Sequence, residues 1–540
     1  MKPIEIHCCA KEKSIMSFPM GALCIKTEIN RCNDLPHADL YEHFTYDDPV
    51  KAARQAASRH PRAVGLSIYI WNSEWFAAFA QTLRKAAADI LIFAGGPHTT
   101  AYTTSLPAWL DFAVLGEGEI STIGALTSIA SGRKAENLQM EGIVTRNYVS
   151  PVSSRLPDLS RLHSPFLTGE ADDVLRNYDS VLWELTRGCP FACAFCFESR
   201  GRRTVRDYPL DRIQKELDYL IKKDVCNVFV LDPTFNLNPE RAKTIMRLLL
   251  RKAPAHMHFT FEIRAELVDD ELADMFAELN CSLQIGLQSC DEEVLKTIGR
   301  HFDRELFTEK VNLLSSRGAA FGLDIIIGLP KDNLKRFRNT VNYAVSLMPS
   351  NIDCFLLSLL PGTELAMKAE EYGLVPGDDV ERTIVSTPSF TEKEIAIALS
   401  VRRGMDLFYT KGQSCMWIHC VLETLNITAC NLFSLFVKWM DQTGRSDDED
   451  IWVLQDDFIQ SLFEKTQNAK LLPAMKSFME LHQGICYVTD TGEPVRLDLS
   501  YRPEDLSKLD NMSLSEFVKA VKAHRCSPTV VLEDSEIRFY

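Results

Sequence analysis

The chain has 540 residues, of which 46% are hydrophobic and 25% charged, an ordinary globular composition long enough for about three domains at roughly 150 residues each. Its 59 Lys and Arg against 74 Asp and Glu leave a formal charge of −15, which excludes coating a nucleic-acid backbone by bulk charge. Apolar runs such as Phe321–Leu329 fall far short of the roughly 20 residues of a membrane span. The charged start Met1–Glu5 argues against a signal peptide, so the expected location is the cytoplasm.

In chain order, short β-rich runs alternate with helical patterns, the signature of parallel α/β structure. Strands are predicted over Ile4–Cys8, Ala63–Ile70, Ile90–Phe93, Phe112–Leu115 and, more weakly, Gly142–Arg146. Pro49–Arg59 reads as a helix with proline in its first turn. Asn72 or Ser73 could cap a helix carrying Trp75, Phe76, Phe79 and Leu83 at helical spacing. The proline-containing stretch 151–178 reads as a linker or strap.

A second, more regular series follows. Strands are expected at Val181–Thr186, Asn227–Leu231, His258–Ile263, Ser282–Leu287, Gly322–Ile327 and Cys354–Leu359. Helices are expected between them at Leu210–Lys223, Pro239–Lys252, Asp269–Leu279, Arg304–Arg317 and Lys335–Met348. Six such units imply a partial parallel barrel with its chemistry at the C-terminal strand ends. Beyond residue 377 the pattern turns mainly helical, with helices expected at Glu392–Leu407 and Leu425–Met440 and a mixed tail. The implied division is 1–150, a linker 151–178, a barrel 179–377, and a helical domain 378–540.

Sixteen cysteines are scattered through the chain, and most read as small buried hydrophobes. Cys189, Cys193 and Cys196 differ, because they form C-x3-C-x2-C in the loop after the first barrel strand. Three thiolates are one short of a closed zinc or [4Fe–4S] site, so either a distant fourth ligand completes zinc or one iron stays open. Nearby, Arg200-Gly201-Arg202-Arg203 reads as a solvated face or a grip for an acidic group.

The triad, with Phe195 before its last cysteine, resembles the signature loop of the radical S-adenosylmethionine (SAM) superfamily. That resemblance implies a [4Fe–4S] cluster on Cys189, Cys193 and Cys196. Its open iron chelates SAM, and an electron from the cluster cleaves SAM to a 5′-deoxyadenosyl radical. It extends through about residues 181–375. Asp232, Thr234 and Asn236, in the loop after the second strand, match a segment that pairs with the SAM amino group. Glu262 and Arg264 match polar cofactor contacts. Gln288 and Ser289, in Gly-Leu-Gln-Ser, match a stretch near the ribose. Asp324 and Gly328, in Asp-Ile-Ile-Ile-Gly-Leu-Pro, match a motif around the adenine, although Lys331-Asp332 replaces the usual Gly-Glu.

Three further loops follow strands of the first series: Tyr69, Trp71 and Asn72; Gly95-Gly96-Pro97-His98; and Gly116-Glu117-Gly118-Glu119. They are expected on one sheet edge, where doubly wound sheets bind ligands. Placed ahead of such a barrel, they resemble the B12-binding domain of cobalamin-dependent members. The resemblance implies a Rossmann-like, flavodoxin-like fold with these residues around the corrin and its tail. The D-x-H-x-x-G motif that supplies a cobalt-ligating histidine is missing, and His98 reads as a loop residue. Two readings stay open: cobalamin held base-off with Trp71 or Tyr69 near its lower face, or a domain that binds none. The order of these motifs resembles a bacterial subgroup with an extra C-terminal domain.

The implied activity is methyl transfer to an unactivated carbon. The alternative is a rearrangement, epimerisation or ring contraction, with or without cobalamin. A methylthiotransferase would bring three further N-terminal cysteines in a different arrangement, and a B12 sensor would not need the triad. The implied partners are a small-molecule or peptide substrate and an electron donor such as flavodoxin or ferredoxin, with no membrane and no nucleic acid.

Overall fold

The computed structural model describes residues 2–102, 105–150, 156–198, 203–533 and 536–540. By compactness the chain forms two units. The first holds Met1–Leu283, Ile298–Arg300 and Ser358–Ile384; the second holds Gln284–Thr297, His301–Leu357 and Val385–Tyr540.

In the first unit, β1 (Ile4–Ala10), β2 (Ala38–Phe44), β3 (Ala63–Ser67), β4 (Leu91–Gly95), β5 (Phe112–Val114) and β6 (Ile143–Val144) form one sheet in the order β2-β1-β3-β4-β5-β6. All neighbours are parallel except β5 and β6. The parallel part has the flavodoxin-like 2-1-3-4-5 order, which places its switch point between β1 and β3.

Helix Pro49–Arg59 forms where the sequence marks it. The Asp48 side chain accepts from the N–H groups of Val50 and Lys51, and Ala52, Ala53, Ala56 and Ala57 make a thin buried face. Helix Ser73–Ala86 buries Trp75, Phe76, Phe79 and Leu83 as the spacing requires. Strand β2 and helix Met20–Arg31 carry no clear pattern, since β2 is a half-buried edge strand. The strand expected to reach Ile70 ends at Ser67, because the chain turns into a 3₁₀ segment at Ile70–Asn72.

The strap after residue 150 is packed rather than free. Leu159, Phe166, Ala171 and Val174 are buried, and Phe166 stacks on Phe18 at 6.3 Å. Residues 151–155 of it, and Arg200, Gly201 and Arg202 of the basic run, lie outside the described residues.

The second sheet starts in this unit. β7 (Ser180–Trp183), β8 (Asn227–Val230), β9 (His258–Ile263) and the start of β10 (Cys281–Gln288) run in that order, with Ser180, Asn227 and His258 in parallel register. Helix Pro239–Lys252 again has the expected bounds, set by the Asn238 cap and Pro239.

The second unit continues the order through β10, β11 (Ala320–Ile327) and β12 (Asn351–Leu356), with β11 and β12 parallel. Helices Arg304–Arg317 and Leu334–Ser346 follow their strands. The helices Glu392–Met405, Ile418–Leu425, Ala429–Thr443, Ile451–Lys465 and Leu472–Thr491 come next. Two expectations are corrected here. The helix expected over Leu425–Met440 runs instead over Ala429–Thr443, because Asn426, left-handed at φ 49, ends the preceding helix Ile418–Leu425. The mixed tail contains a three-stranded antiparallel sheet of β13 (Val495–Arg496), β14 (Thr529–Glu533) and β15 (Glu536–Phe539). Among the described residues no single helix is long and apolar enough to cross a membrane.

Candidate functional site

The thiol triad lies in the loop after β7. Cys189 and Cys193 are each 9% exposed, Cys196 is half-buried, and all three are free thiols. The loop is held by its backbone. Cys196 N–H donates to Cys193 O at 3.0 Å, Ala194 N–H to Ile298 O at 3.0 Å, and Leu365 N–H to Ala194 O at 2.9 Å. Gly188, at φ +99, lies so close to the Thr204 carbonyl that a Cβ there would collide with it.

A closed zinc site needs four donors on one ion. Among the described residues no three His, Cys, Asp or Glu side chains converge that way. A cubane instead takes its cysteines on separate irons, so three thiols spread along one half-buried loop fit a cluster with an open iron.

Around this loop, several side chains predicted as SAM contacts are already committed. Asp232 is 1% exposed, and its Oδ1 accepts from Leu185 N–H at 2.9 Å and Thr186 N–H at 2.8 Å. It ties the end of β7 to the end of β8. Asn236, fully buried, donates to Arg264 O at 2.8 Å and accepts from Arg264 N–H at 3.0 Å, so its amide imitates a strand partner. Arg264 in turn lays its guanidinium over the ring of Phe191, 3.8 Å from the centroid, inside the triad loop. Thr234 donates to the Pro233 carbonyl at 2.6 Å. These contacts tie the strand ends and the triad loop to one another. Glu262 is half-buried, and burial, with the Glu198 carboxylate second, pushes its pKa up to about 7.

Asp232 makes this legible in stability. Burial pushes its carboxyl up to about 7 against the pull of the two N–H groups, whereas an unfolded Asp titrates at about 3.9. The folded chain therefore binds the extra proton between these values, and stability falls as pH rises from about 4 to about 7. Asp232→Asn keeps the acceptor and should flatten that slope. Asp232→Ala should cost about 2 kcal/mol or more, because two N–H groups lose their partner. Urea unfolding of the three proteins at pH 5 and pH 8 checks both; equal slopes in wild type and Asp232→Asn would exclude the titration.

In the second unit, Gln288 stands at φ +64, 8% exposed, with Oε1 buried and without a partner among the described residues. Such an acceptor is costly unless something donates to it, and a ribose hydroxyl has that chemistry. Ser289 is turned elsewhere: its Oγ lies 3.4 Å from Thr340 Oγ1 and accepts from Asp291 N–H at 3.2 Å, so it locks the strand end to helix Leu334–Ser346. Asp324 sits opposite Asp353 in the parallel register, and Gly328 turns the chain at φ +89. A cavity of about 420 Å³ is lined by Cys290, Asp291, Arg304 and Arg336, and none of the predicted site residues lines it. Its Arg336 is neutralised by Asp291 at 3.2 Å and Glu293 at 2.6 Å.

The three loops of the first sheet do share one edge, after β3, β4 and β5. Tyr69 and Trp71 stack with centroids 4.5 Å apart. Trp71 stays 37% exposed while its Nε1 reaches Cys9 O at 3.4 Å, at the β1/β3 switch point. Tyr69 beneath it is half-buried, so the stack presents one exposed aromatic face at the edge where such sheets bind ligands. Asn72 is fully buried and clamps the loop: it donates to Cys9 O at 2.8 Å and Ser67 O at 3.2 Å and accepts from Tyr69 N–H at 2.8 Å. Gly96, at φ +105, passes so near β3 that a Cβ would lie 2.5 Å from Ile68 O, whereas one on Gly95 would meet only Val114 at 3.8 Å. Pro97 opens the short helix Pro97–Tyr102. Burial lowers the pKa of His98.

In the third of these segments, Gly116–Glu119, the polar groups are paired within the fold. Gly116 N–H donates to Thr100 Oγ1 at 2.9 Å, and Gly118 packs against Ile25. Glu117 pairs with Arg206 and, at 3.2 Å, with Arg187; Glu119 pairs with Arg187 at 2.7 Å. Burying carboxylates requires cations nearby, and these two arginines supply them. Neither was singled out from sequence, although Arg187 stands two residues before Cys189.

Residues 183–344 match the family described as the Radical SAM superfamily, and residues 41–124 match the B12 binding domain. The chain is 27% identical over 349 residues to the cobalamin-dependent radical SAM methyltransferase TokK of Streptomyces tokunonensis, covering 58% of this chain and 50% of that protein. It is 27% identical over 310 residues to the 2-(S-pantetheinyl)-carbapenam-3-carboxylate methyltransferase of Streptantibioticus cattleyicolor, covering 52% and 44%. The chain thus spans about half the length of these relatives. Among solved folds, the cobalamin-dependent S-adenosylmethionine radical enzyme OxsB superposes with a TM-score of 0.59 at 13% identity, over 96% of this chain and 84% of that one. The methyltransferase TsrM of Kitasatospora setae also superposes with a TM-score of 0.59, at 17% identity over 70% and 81%.

Proposed function

We propose, from the premise that this chain carries a radical SAM domain at residues 183–344 behind a B12-binding domain at residues 41–124, that it is a cobalamin-dependent radical SAM methyltransferase acting on an unactivated carbon. One observation carries the reading. The thiol triad and the Tyr69–Trp71 stack belong to one compact unit, joined through Glu117, Glu119 and Arg187.

Cys189, Cys193 and Cys196 would hold the cluster, Glu262 of the same unit would offer a polar contact to SAM, and Tyr69, Trp71 and the Gly96 turn would face a corrin. Bound together, these groups supply an electron, a radical precursor and a methyl carrier. The chain's own residues orient them. Asp232 and Asn236 fix the strand ends, Arg264 braces Phe191 of the triad loop, and Asn72 shapes the platform. The substrate is a small molecule or peptide, and an external flavodoxin or ferredoxin supplies the electron. A cytoplasmic location accords with sixteen free thiols.

A second reading, a cobalamin-dependent radical reaction without methyl transfer, is favoured by the fold that covers 96% of the chain, whose name specifies only a SAM radical enzyme.

Anaerobic reconstitution tests both readings. The proposal expects about four irons per chain, close to equimolar hydroxocobalamin, and slow release of 5′-deoxyadenosine together with S-adenosylhomocysteine on reduction. Release of 5′-deoxyadenosine alone selects the second reading. An intact cluster that yields neither product overturns both. With no D-x-H-x-x-G histidine in the chain, the cob(II)alamin form should lack nitrogen superhyperfine splitting in its paramagnetic resonance spectrum. Splitting that vanishes in His98→Ala would put that histidine on cobalt.

A further inference from the structure

Arg187 occupies an unusual position. Its Nη1 lies 3.2 Å from Glu117, the N-cap after β5, and 2.7 Å from Glu119, in the first turn of helix Gly118–Ala130, and its Nη2 lies 2.8 Å from Glu184, at the end of β7. The side chain is 13% exposed, and Glu119 only 6%. Across a two-residue antiparallel ladder, Arg187 stands opposite Arg206, which also pairs with Glu117 and donates to the Pro157 carbonyl at 2.9 Å. Two arginines therefore face three carboxylates, with Glu117 shared between them.

Such buried pairs are weak evidence for stability, because desolvation offsets the attraction. Their geometry is demanding, since a planar guanidinium needs each carboxylate in a set direction. What lies on either side gives the cluster its meaning. On one side the chain runs through Gly188 directly into Cys189, and Gly188 is packed against the Thr204 carbonyl, so a shift of Arg187 is passed to Cys189 rather than absorbed. On the other side Glu117 and Glu119 belong to the sheet edge that also carries Gly96 and the Tyr69–Trp71 stack. Lysine in place of Arg187 would keep the charge and lose the fork.

We propose that Arg187 is a positioning residue that holds the triad loop in register with the helix start at Glu117–Glu119, so that cobalamin on the B12-binding domain sets the geometry of Cys189. This rests on the reading that the domain binds cobalamin. No reaction step is assigned to Arg187 itself.

Hydrogen exchange followed by mass spectrometry, on the full-length protein with its cluster reconstituted, tests the proposal with and without hydroxocobalamin. In wild type, hydroxocobalamin should slow exchange in both 114–120 and 188–198. In Arg187→Lys and in Glu119→Gln, cobalamin should still bind and slow 114–120. Its effect on 188–198 should fall by about fivefold, the lower range of coupling between sites. The paramagnetic resonance signal of the reduced cluster should shift on cobalamin addition in wild type and stay unshifted in both variants. Undiminished transmission in the variants, or bound cobalamin with no effect on 188–198 in wild type, overturns the proposal. If wild type retains no cobalamin, the functional reading fails, and the cobalamin-free proteins then decide the positioning role. Each variant must speed exchange in both segments, and a change confined to one segment overturns it.

Discussion

Alanine at any one of Cys189, Cys193 or Cys196 is expected to reduce iron from about four per chain to below about one after reconstitution, since two thiolates do not hold a cubane. Release of 5′-deoxyadenosine should disappear with it. The fold should not follow. The loop is tied at Ala194 to Ile298 and Leu365 by backbone hydrogen bonds that use no sulfur, so the loss of one half-buried thiol should shift stability by only about 1 kcal/mol. Cys226→Ala is the control, because Cys226 lies at the far end of the strand, before β8, and should leave iron unchanged. Iron content, the visible absorbance of the cluster and thermal melting together decide the matter. A triple-alanine variant that still holds four irons would remove the triad from the site.

The second large effect separates two neighbouring glycines that look equivalent in sequence. Gly96→Ala places a Cβ at φ +105 and 2.5 Å from the Ile68 carbonyl oxygen. Backbone strain of about 1–3 kcal/mol and overpacking of about the same size should together cost about 3 kcal/mol or more. The β3–β4 crossing then opens, and with it the turn beside Trp71, so cobalamin retention should be lost. Gly95→Ala meets only Val114 at 3.8 Å, and a strand glycine costs rather than contributes stability, by about 0.5–1 kcal/mol. That variant should melt at or slightly above the wild-type temperature and keep its cobalamin. If both variants are equally tolerated, the close approach at Gly96 does not shape the platform.

The two glycines show where reading by sequence stops. Gly-Gly-Pro announces a loop at a strand end, but which glycine must lack a side chain depends on the backbone of β3, some 28 positions earlier in the chain.

The sequence by itself determined what local chemistry controls. Helices Pro49–Arg59, Pro239–Lys252 and Arg304–Arg317 have the bounds their caps and prolines announce, because Asp48, Asn238 and Asp303 act within three residues of themselves. The C-x3-C-x2-C spacing is likewise complete within one loop, and the alternation of strands and helices sufficed for both parallel sheets. Only the tertiary structure decided which polar side chains are left for a ligand. Asn236 is consumed by Arg264, Asn72 by Cys9 and Ser67, and Asp232 by Leu185 and Thr186. Glu117 and Glu119, expected from their motif beside a corrin, pair with Arg187 some 70 residues on. A hydrogen bond or ion pair inside a folded chain goes to whichever group burial brings near, and that choice is made by packing between distant segments, which leaves no periodic trace along either one.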